Sequence, residues 1–255
     1  MLVTKRVAEA AGYLRGLGVQ LPRRAILLEQ GMVGFDGELT GVKALPLRSI
    51  PGFAEPRRGE FGGSLLLGDL AGVPTAVVEG GPHLYSGFLP GECGLAVRAL
   101  AAVGAEALVL VASGSSLLEG PPPGSMFLVL DRLDLTGVAM LKGVHDAAAV
   151  LGIDVAPVGP ETLRAAAACG ETAGVAVSGG VAALVHGPLR PSPAERRMLC
   201  AFGAQAVSMA LAPELAAAAH VGVRTAALLL LDGGWDAARL RFCRGFLEAF
   251  APSGA

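Results

Sequence analysis

The sequence predicts an α/β fold, a single domain over residues 1–255 with a mixed, mostly parallel twisted sheet flanked by helices. Three observations predict it. Between Val181 and Asp232 apolar runs alternate with helix starts: Val181–Val185, a helix from Pro193-Ala194-Glu195, Ala206–Met209 after a Gly203 stop, a helix over Pro213–His220, and Thr225–Leu231. Proline suits a first helical turn, and this alternation reads as a parallel strand–helix unit. A hairpin is written into Ser64–Pro74, where Asp69–Gly72 separates two apolar strands. The length of 255 residues suits one α/β domain with a sizeable core.

Taken in order, Val3–Leu17 carries Val7, Ala11, Tyr13 and Leu14 as a rough helical stripe. Ala25–Leu28 is a short apolar strand running into Glu29-Gln30-Gly31-Met32-Val33-Gly34. A Gly-bearing turn after a first strand is a place where backbone N–H groups cradle an anion, although neither GxGxxG nor a Walker pattern is present. Thr75–Val78 is the next strand. Leu95–Val103 reads as a helix and Ala107–Val111 as a strand. Pro121–Gly124 is a rigid turn before the strand Met126–Leu130. A helix is expected around Glu161–Ala168, and Trp235–Phe250 forms an amphipathic terminal helix. In open sheets of this kind ligands sit beyond the carboxyl ends of the strands, which places Gly187–Ser192, Met209-Ala210 and Asp232–Gly234 around one candidate pocket.

Composition narrows the function classes. A net charge of −2 gives no electrostatic footprint for nucleic acid, and the pairs Arg23-Arg24, Arg57-Arg58 and Arg196-Arg197 read as solvated surface. Cys93, Cys169, Cys200 and Cys243 are far apart and form no CxxC, which argues against a metal or disulfide framework. No apolar run approaches the roughly 20 residues needed to span a bilayer, and the N-terminus lacks a continuous apolar signal region. The expectation is a cytoplasmic protein with no membrane or nucleic-acid partner. Hydrophobic residues make up 53% of the chain and mean hydropathy is +0.57, a surplus that fits burial in an oligomer.

Several motifs recur together in a recognisable order. They are Ile50-Pro51-Gly52-Phe53, then Gly80-Gly81-Pro82-His83-Leu84-Tyr85-Ser86-Gly87-Phe88, then Gly187-Pro188 and Ala194-Glu195, and finally Gly203–Met209 and Ala212-Pro213-Glu214-Leu215. In order and spacing the chain, from about residue 25 to Asp232, resembles the purine nucleoside phosphorylase and methylthioadenosine phosphorylase family of the trimeric type. The match fades over Val138–Gly180. The resemblance implies a nucleoside phosphorylase-like fold, a homotrimer, a purine nucleoside or base as ligand, and no cofactor beyond inorganic phosphate as co-substrate. By position it implies that His83 contacts phosphate, Tyr85 the sugar, and that Met209 lies under the ribose. Gln30 and Gly31 stand in the first phosphate loop, Ser113 beside the phosphate-binding position in the small-residue loop that the resemblance expects over Ala112–Leu117, and Arg190 and Ser192 on the base side. Asp232 stands where a residue faces the purine; with His83 it is the expected catalytic pair.

The departures are as informative. The family's phosphate hydroxyl in the first loop is Gln30 here, its phosphate arginine is Gly81, and the next phosphate-holding position is Ala112. A charge-assisted hydrogen bond contributes about 1.5–3 kcal/mol, so losing the arginine and two hydroxyls costs roughly 4–7 kcal/mol, or about three to five powers of ten in rate. The expected function is therefore that of a purine nucleoside phosphorylase with its activity weakened or lost. Two alternatives stand beside it: a non-catalytic nucleoside-binding or structural member, and a phosphate-independent nucleoside hydrolase in which Asp232 or Glu29 acts as base.

Overall fold

Strict alternation along the apolar strands builds a sheet buried on both faces. In β5 (Ala107–Ser116), Ala107, Val109 and Val111 pack into one core while Leu108, Leu110 and Ala112 pack into the other. β9 (Arg224–Leu231) repeats the pattern, with Leu228 and Leu230 on one side and Ala227, Leu229 and Leu231 on the other. A period of two with both sets apolar is what a strand covered by helices on each face requires.

The computed structural model describes residues 3–54, 62–118, 120–142, 144 and 158–251. Arg57 and Arg58, and residues 145–157 of the segment where the resemblance fades, lie outside them. The remaining strands are β1 (Arg24–Leu28), β2 (Thr40–Pro46), β3 (Ser64–Leu70), β4 (Val73–Glu79), β6 (Met126–Asp134), β7 (Val177–Leu184) and β8 (Ala206–Ser208). The helices are α1 (Val3–Arg15), the single turn α2 (Pro90–Cys93), α3 (Leu95–Ala102), α4 (Pro160–Ala173), α5 (Pro193–Ala201), α6 (Ala212–Val221) and α7 (Ala237–Phe250). Helices α1, α3 and α6 cover one face through Leu14, Leu100 and Leu215. Helices α4 and α7 cover the other through Ala166, Phe242, Phe246 and Phe250.

The nine strands form one sheet in the order β2-β3-β4-β1-β5-β8-β7-β6-β9, and β9 pairs again with β5. Strands β5, β8, β7, β6 and β9 thereby close into a ring, while β1 to β4 extend from it as an open sheet. Parallel ladders join β4 to β1, β1 to β5, β5 to β9, β6 to β7 and β7 to β8. The hairpin is as expected: Leu70 faces Val73, Ala71 and Gly72 both take positive φ, and Asp69 Oδ1 accepts from Gly72 N at 2.6 Å.

Three expectations need correction. Arg24, read as solvated surface, is only 3% exposed, its guanidinium held by Thr75 Oγ1 and Leu70 O beneath the hairpin. Val181–Asp232 is not one parallel unit. β7 and β8 are parallel, but β9 runs antiparallel to β6 and parallel to β5, so it points against β7 and β8. Apolar periodicity marks a strand without marking its direction, and ring closure sets the direction here. Nor is Ala112–Ser116 a loop. Gly114 is squeezed against Leu229 and Leu231, and small residues there let β5 run on between β9 and β8.

Candidate active site

β4 and β1 are parallel and end at Glu79 and Leu28, in register with Val111 of the parallel β5, which runs on past them. The chain just past this register forms the site. Glu29 N donates to Val111 O at 2.9 Å and Gly80 N to Leu28 O at 2.9 Å, which locks the three exits side by side. Gly31 takes φ 90°, a left-handed turn that suits glycine. These exits bring Glu29, Gly80 to His83 and Ala112 around one cavity of about 50 Å³, closed by Cys93, Ala210 and Glu214. A second cavity of about 90 Å³ shares Gly81, Pro82 and His83 and adds Gln30 and Tyr85. Ligand pockets run from roughly 300 Å³ upward, so the walls must part to admit a nucleoside.

The charges of this cleft are mostly negative. Glu29 Oε2 accepts from Ser113 N at 2.5 Å, and its Oε1 lies 4.0 Å from His83 Nε2. His83 stacks on Tyr85 with ring centroids 4.8 Å apart. Glu214, in the first turn of α6, has its Oε2 buried with no hydrogen-bond partner. Burial pushes its carboxyl up to about 7, and the charge of Glu29 adds to the rise against the pull of its own backbone N–H. Glu92 also lines the cavity, but Arg6 Nη1 meets it at 3.0 Å.

The expected residues divide into two groups. Gln30, Gly31, His83, Tyr85 and Ser113 come together at the rim, Ser113 through its backbone N–H. The others are placed differently. Met209 lies against Gly187, where a Cβ would come within 2.5 Å of its Sδ, and its neighbour Ala210 reaches the cavity. Asp232, exposed and at φ 44°, accepts from Ser116 N at 2.8 Å, tying the end of β9 to β5 outside the cavity lining. Arg190 is exposed. Ser192 caps α5, its Oγ accepting from Glu195 N at 3.3 Å while Glu195 Oε2 accepts from Ser192 N at 2.7 Å. The sequence motif had pointed at the hydroxyl, and the fold spends it on a helix end. Glu214 carried a signal that went unused: Pro213-Glu214 is a usual helix start, which disguises a carboxyl facing inward. Among the described residues no group of three or more His, Cys, Asp or Glu side chains is arranged to hold a metal ion.

A family model for the phosphorylase superfamily matches residues 31–250. This chain belongs to that superfamily, in the purine nucleoside phosphorylase family. It is 28% identical to purine nucleoside phosphorylase 1 of Geobacillus stearothermophilus, over 85% of this chain and 80% of that protein. To purine nucleoside phosphorylase 1 of Bacillus subtilis (strain 168) it is 26% identical, over 86% and 82%. In fold it matches the crystal structure of Schistosoma mansoni purine nucleoside phosphorylase complexed with a monocyclic inhibitor, with a TM-score of 0.84 and 22% identity over all of both chains. The guanosine complex of the Schistosoma enzyme matches with a TM-score of 0.77 at 20% identity, over 99% of this chain and all of that one. This purine nucleoside phosphorylase family member therefore has the fold of its relatives, with Glu29 and Glu214 lining its cleft.

Proposed function

We propose that this chain binds a purine nucleoside in the cleft between Glu29, Tyr85 and Ala210, and that its phosphorolysis of the N-glycosidic bond is weakened or lost. One observation carries the reading: the Glu29 carboxylate takes the Ser113 backbone N–H, next to a position that the family pattern assigns to phosphate, and faces His83, which that pattern places on phosphate. A phosphate dianion would meet that charge at close range without the arginine that Gly81 replaces. At an effective dielectric near 20, two unit charges about 4 Å apart repel by about 4 kcal/mol.

The same carboxylate favours a second reading, cleavage by water. A water oxygen would bond to the anomeric carbon as the carbon–nitrogen bond breaks. The bonding pair leaves with the purine, and the water proton passes to Glu29. Glu214, protonated below about pH 7, could hold a hydrogen bond in the same cleft without adding charge. Tyr85 and Met209 are the proposed sugar contacts. Asp232 with Arg190 would approach the purine, and Ser192, its hydroxyl, N–H and carbonyl all engaged in starting α5, stands beside Arg190.

The assembly is proposed to be a homotrimer, in keeping with the exposed Leu189, Phe202 and Met198. A cytoplasmic setting is likewise proposed; no helix among the described residues is long and apolar enough to cross a membrane.

The test is release of free base from adenosine, inosine and methylthioadenosine, with and without inorganic phosphate. Phosphate-independent release would support the water reading, and absence of release with retained nucleoside binding would support a lost reaction. Fast release that depends strictly on phosphate would overturn the proposal.

A further inference from the structure

Arg98 is the anomaly of this fold. It lies on α3 between Val97 and Ala99, and it is only 5% exposed. Its Nη1 meets His220 Nδ1 at 2.6 Å, and its Nε is buried with no hydrogen-bond partner. The other deeply buried arginine is treated differently. Arg24 donates to Thr75 Oγ1 at 3.1 Å and to Leu70 O at 2.5 Å, with the charges of Glu248 and Asp69 supporting it. Among the described residues nothing comparable is arranged for Arg98: burial draws its pKa down and no carboxylate there opposes the fall. A buried guanidinium without a counter-charge is costly, and structures rarely leave one without a reason.

The reason suggested by the geometry is a ligand. Arg98 and His220 form the floor of a cavity of about 280 Å³ whose walls include Val7, Ala101, Val144 and Val221. The cavity is separate from the cleft described above. Glu214 in the first turn of α6 lines the cleft, and His220 in the last turn lines this cavity, so the two lie at opposite ends of one helix. We infer that the cavity between α1, α3 and the end of α6 binds a small monocarboxylate with an apolar tail, its carboxylate on Arg98 and its tail along Val7 and Val221. The charge argues for a monoanion: one guanidinium lines the cavity and, among the described residues, no lysine or second arginine does, so a phosphate dianion would lack a second fixed cation. The apolar walls argue for the tail. Arginine presents a planar fork that matches a carboxylate, and a desolvated pair of this kind is stronger than its exposed counterpart.

The experiment titrates the full-length protein with hexanoate, followed by calorimetry, with hexanol and sulfate as comparison probes. Hexanoate should bind at least about tenfold more tightly than either, because it alone offers both the charge and the tail. Arg98→Met should abolish the preference over hexanol, and Arg98→Lys should keep part of it. Met resembles Arg in volume and removes a buried charge, a change that cores tolerate. Should that variant fail to fold, Ala101→Phe narrows the cavity without touching the guanidinium and should weaken hexanoate binding. Equal binding of hexanoate and hexanol, tighter binding of sulfate, no binding of hexanoate, or binding unchanged in the folded variants would each overturn the inference.

Discussion

At the scale of single residues, two carboxyl groups govern the cleft. Glu29 spends its charge on Ser113 N, and Glu29→Gln keeps the shape while removing the repulsion of an incoming anion. Inorganic phosphate should then bind at least about tenfold more tightly, read by the phosphate-induced rise in melting temperature of variant against parent. Glu214 makes a separate prediction. Its carboxyl stands at about 7 in the folded protein against 4.5 when free. The native state therefore holds more protons than the unfolded state between those two values, so stability falls as pH rises through that window and is lowest above it. The loss is about 3 kcal/mol at most. Melting curves at pH 5 and pH 8 should differ by several degrees, and Glu214→Gln should flatten the difference. If the variant keeps the full pH dependence, another group is responsible. Ser192→Ala should cost about 1 kcal/mol through the lost cap on α5, measured by urea unfolding, with nucleoside binding unchanged. A loss of nucleoside affinity without a loss of stability would restore the hydroxyl to the ligand.

At the scale of elements, close approach decides where Glu214 points. A Cβ on Gly94 would stand 2.8 Å from Ala217 Cβ and 3.1 Å from Pro213 O, so the start of α3 fits directly against α6. Gly94→Val should push α6 outward and lower both melting temperature and nucleoside affinity, by roughly 1–3 kcal/mol in stability. Unchanged values would show that α6 shifts freely. The elements themselves were legible. The Pro-started helices, the terminal helix with Phe242, Phe246 and Phe250, and the hairpin at Ala71-Gly72 follow from local chemistry that needs no partner. The rim of the site was legible in part, because Gln30, Gly31, His83 and Tyr85 are close in sequence to strand ends. Three features were not. The direction of β9 depends on pairing with β5 and β6, the length of β5 on small residues wedged between β8 and β9, and the burial of Glu214 on the packing of α6. Each is a long-range consequence, invisible to periodicity. Ser192 and Asp232 show the reverse case, since a motif position fixes a residue's place in the chain and leaves open which neighbour claims its side chain.

At the scale of the whole molecule, the apolar surplus of the sequence is mostly absorbed inside, in the two cores on either face of the sheet. What remains outside, Leu189 at 85% and Phe202 at 59% exposure, is the surface a neighbouring copy would cover. Light scattering on purified protein should give three times the monomer mass of 25.6 kDa, and a monomer at micromolar concentration would remove the trimer from the proposal. The closed ring has a consequence of another kind. β9 follows β5 and β6 by about a hundred residues of chain, yet it supplies the missing neighbour of both. While the protein is being synthesised, those two strands emerge first and must wait with bare hydrogen-bonding edges until β9 follows them. The nascent chain is thus most exposed to wrong partners between the emergence of β6 and that of β9, and synthesis stalled short of Arg224 would leave a sheet unable to seal itself.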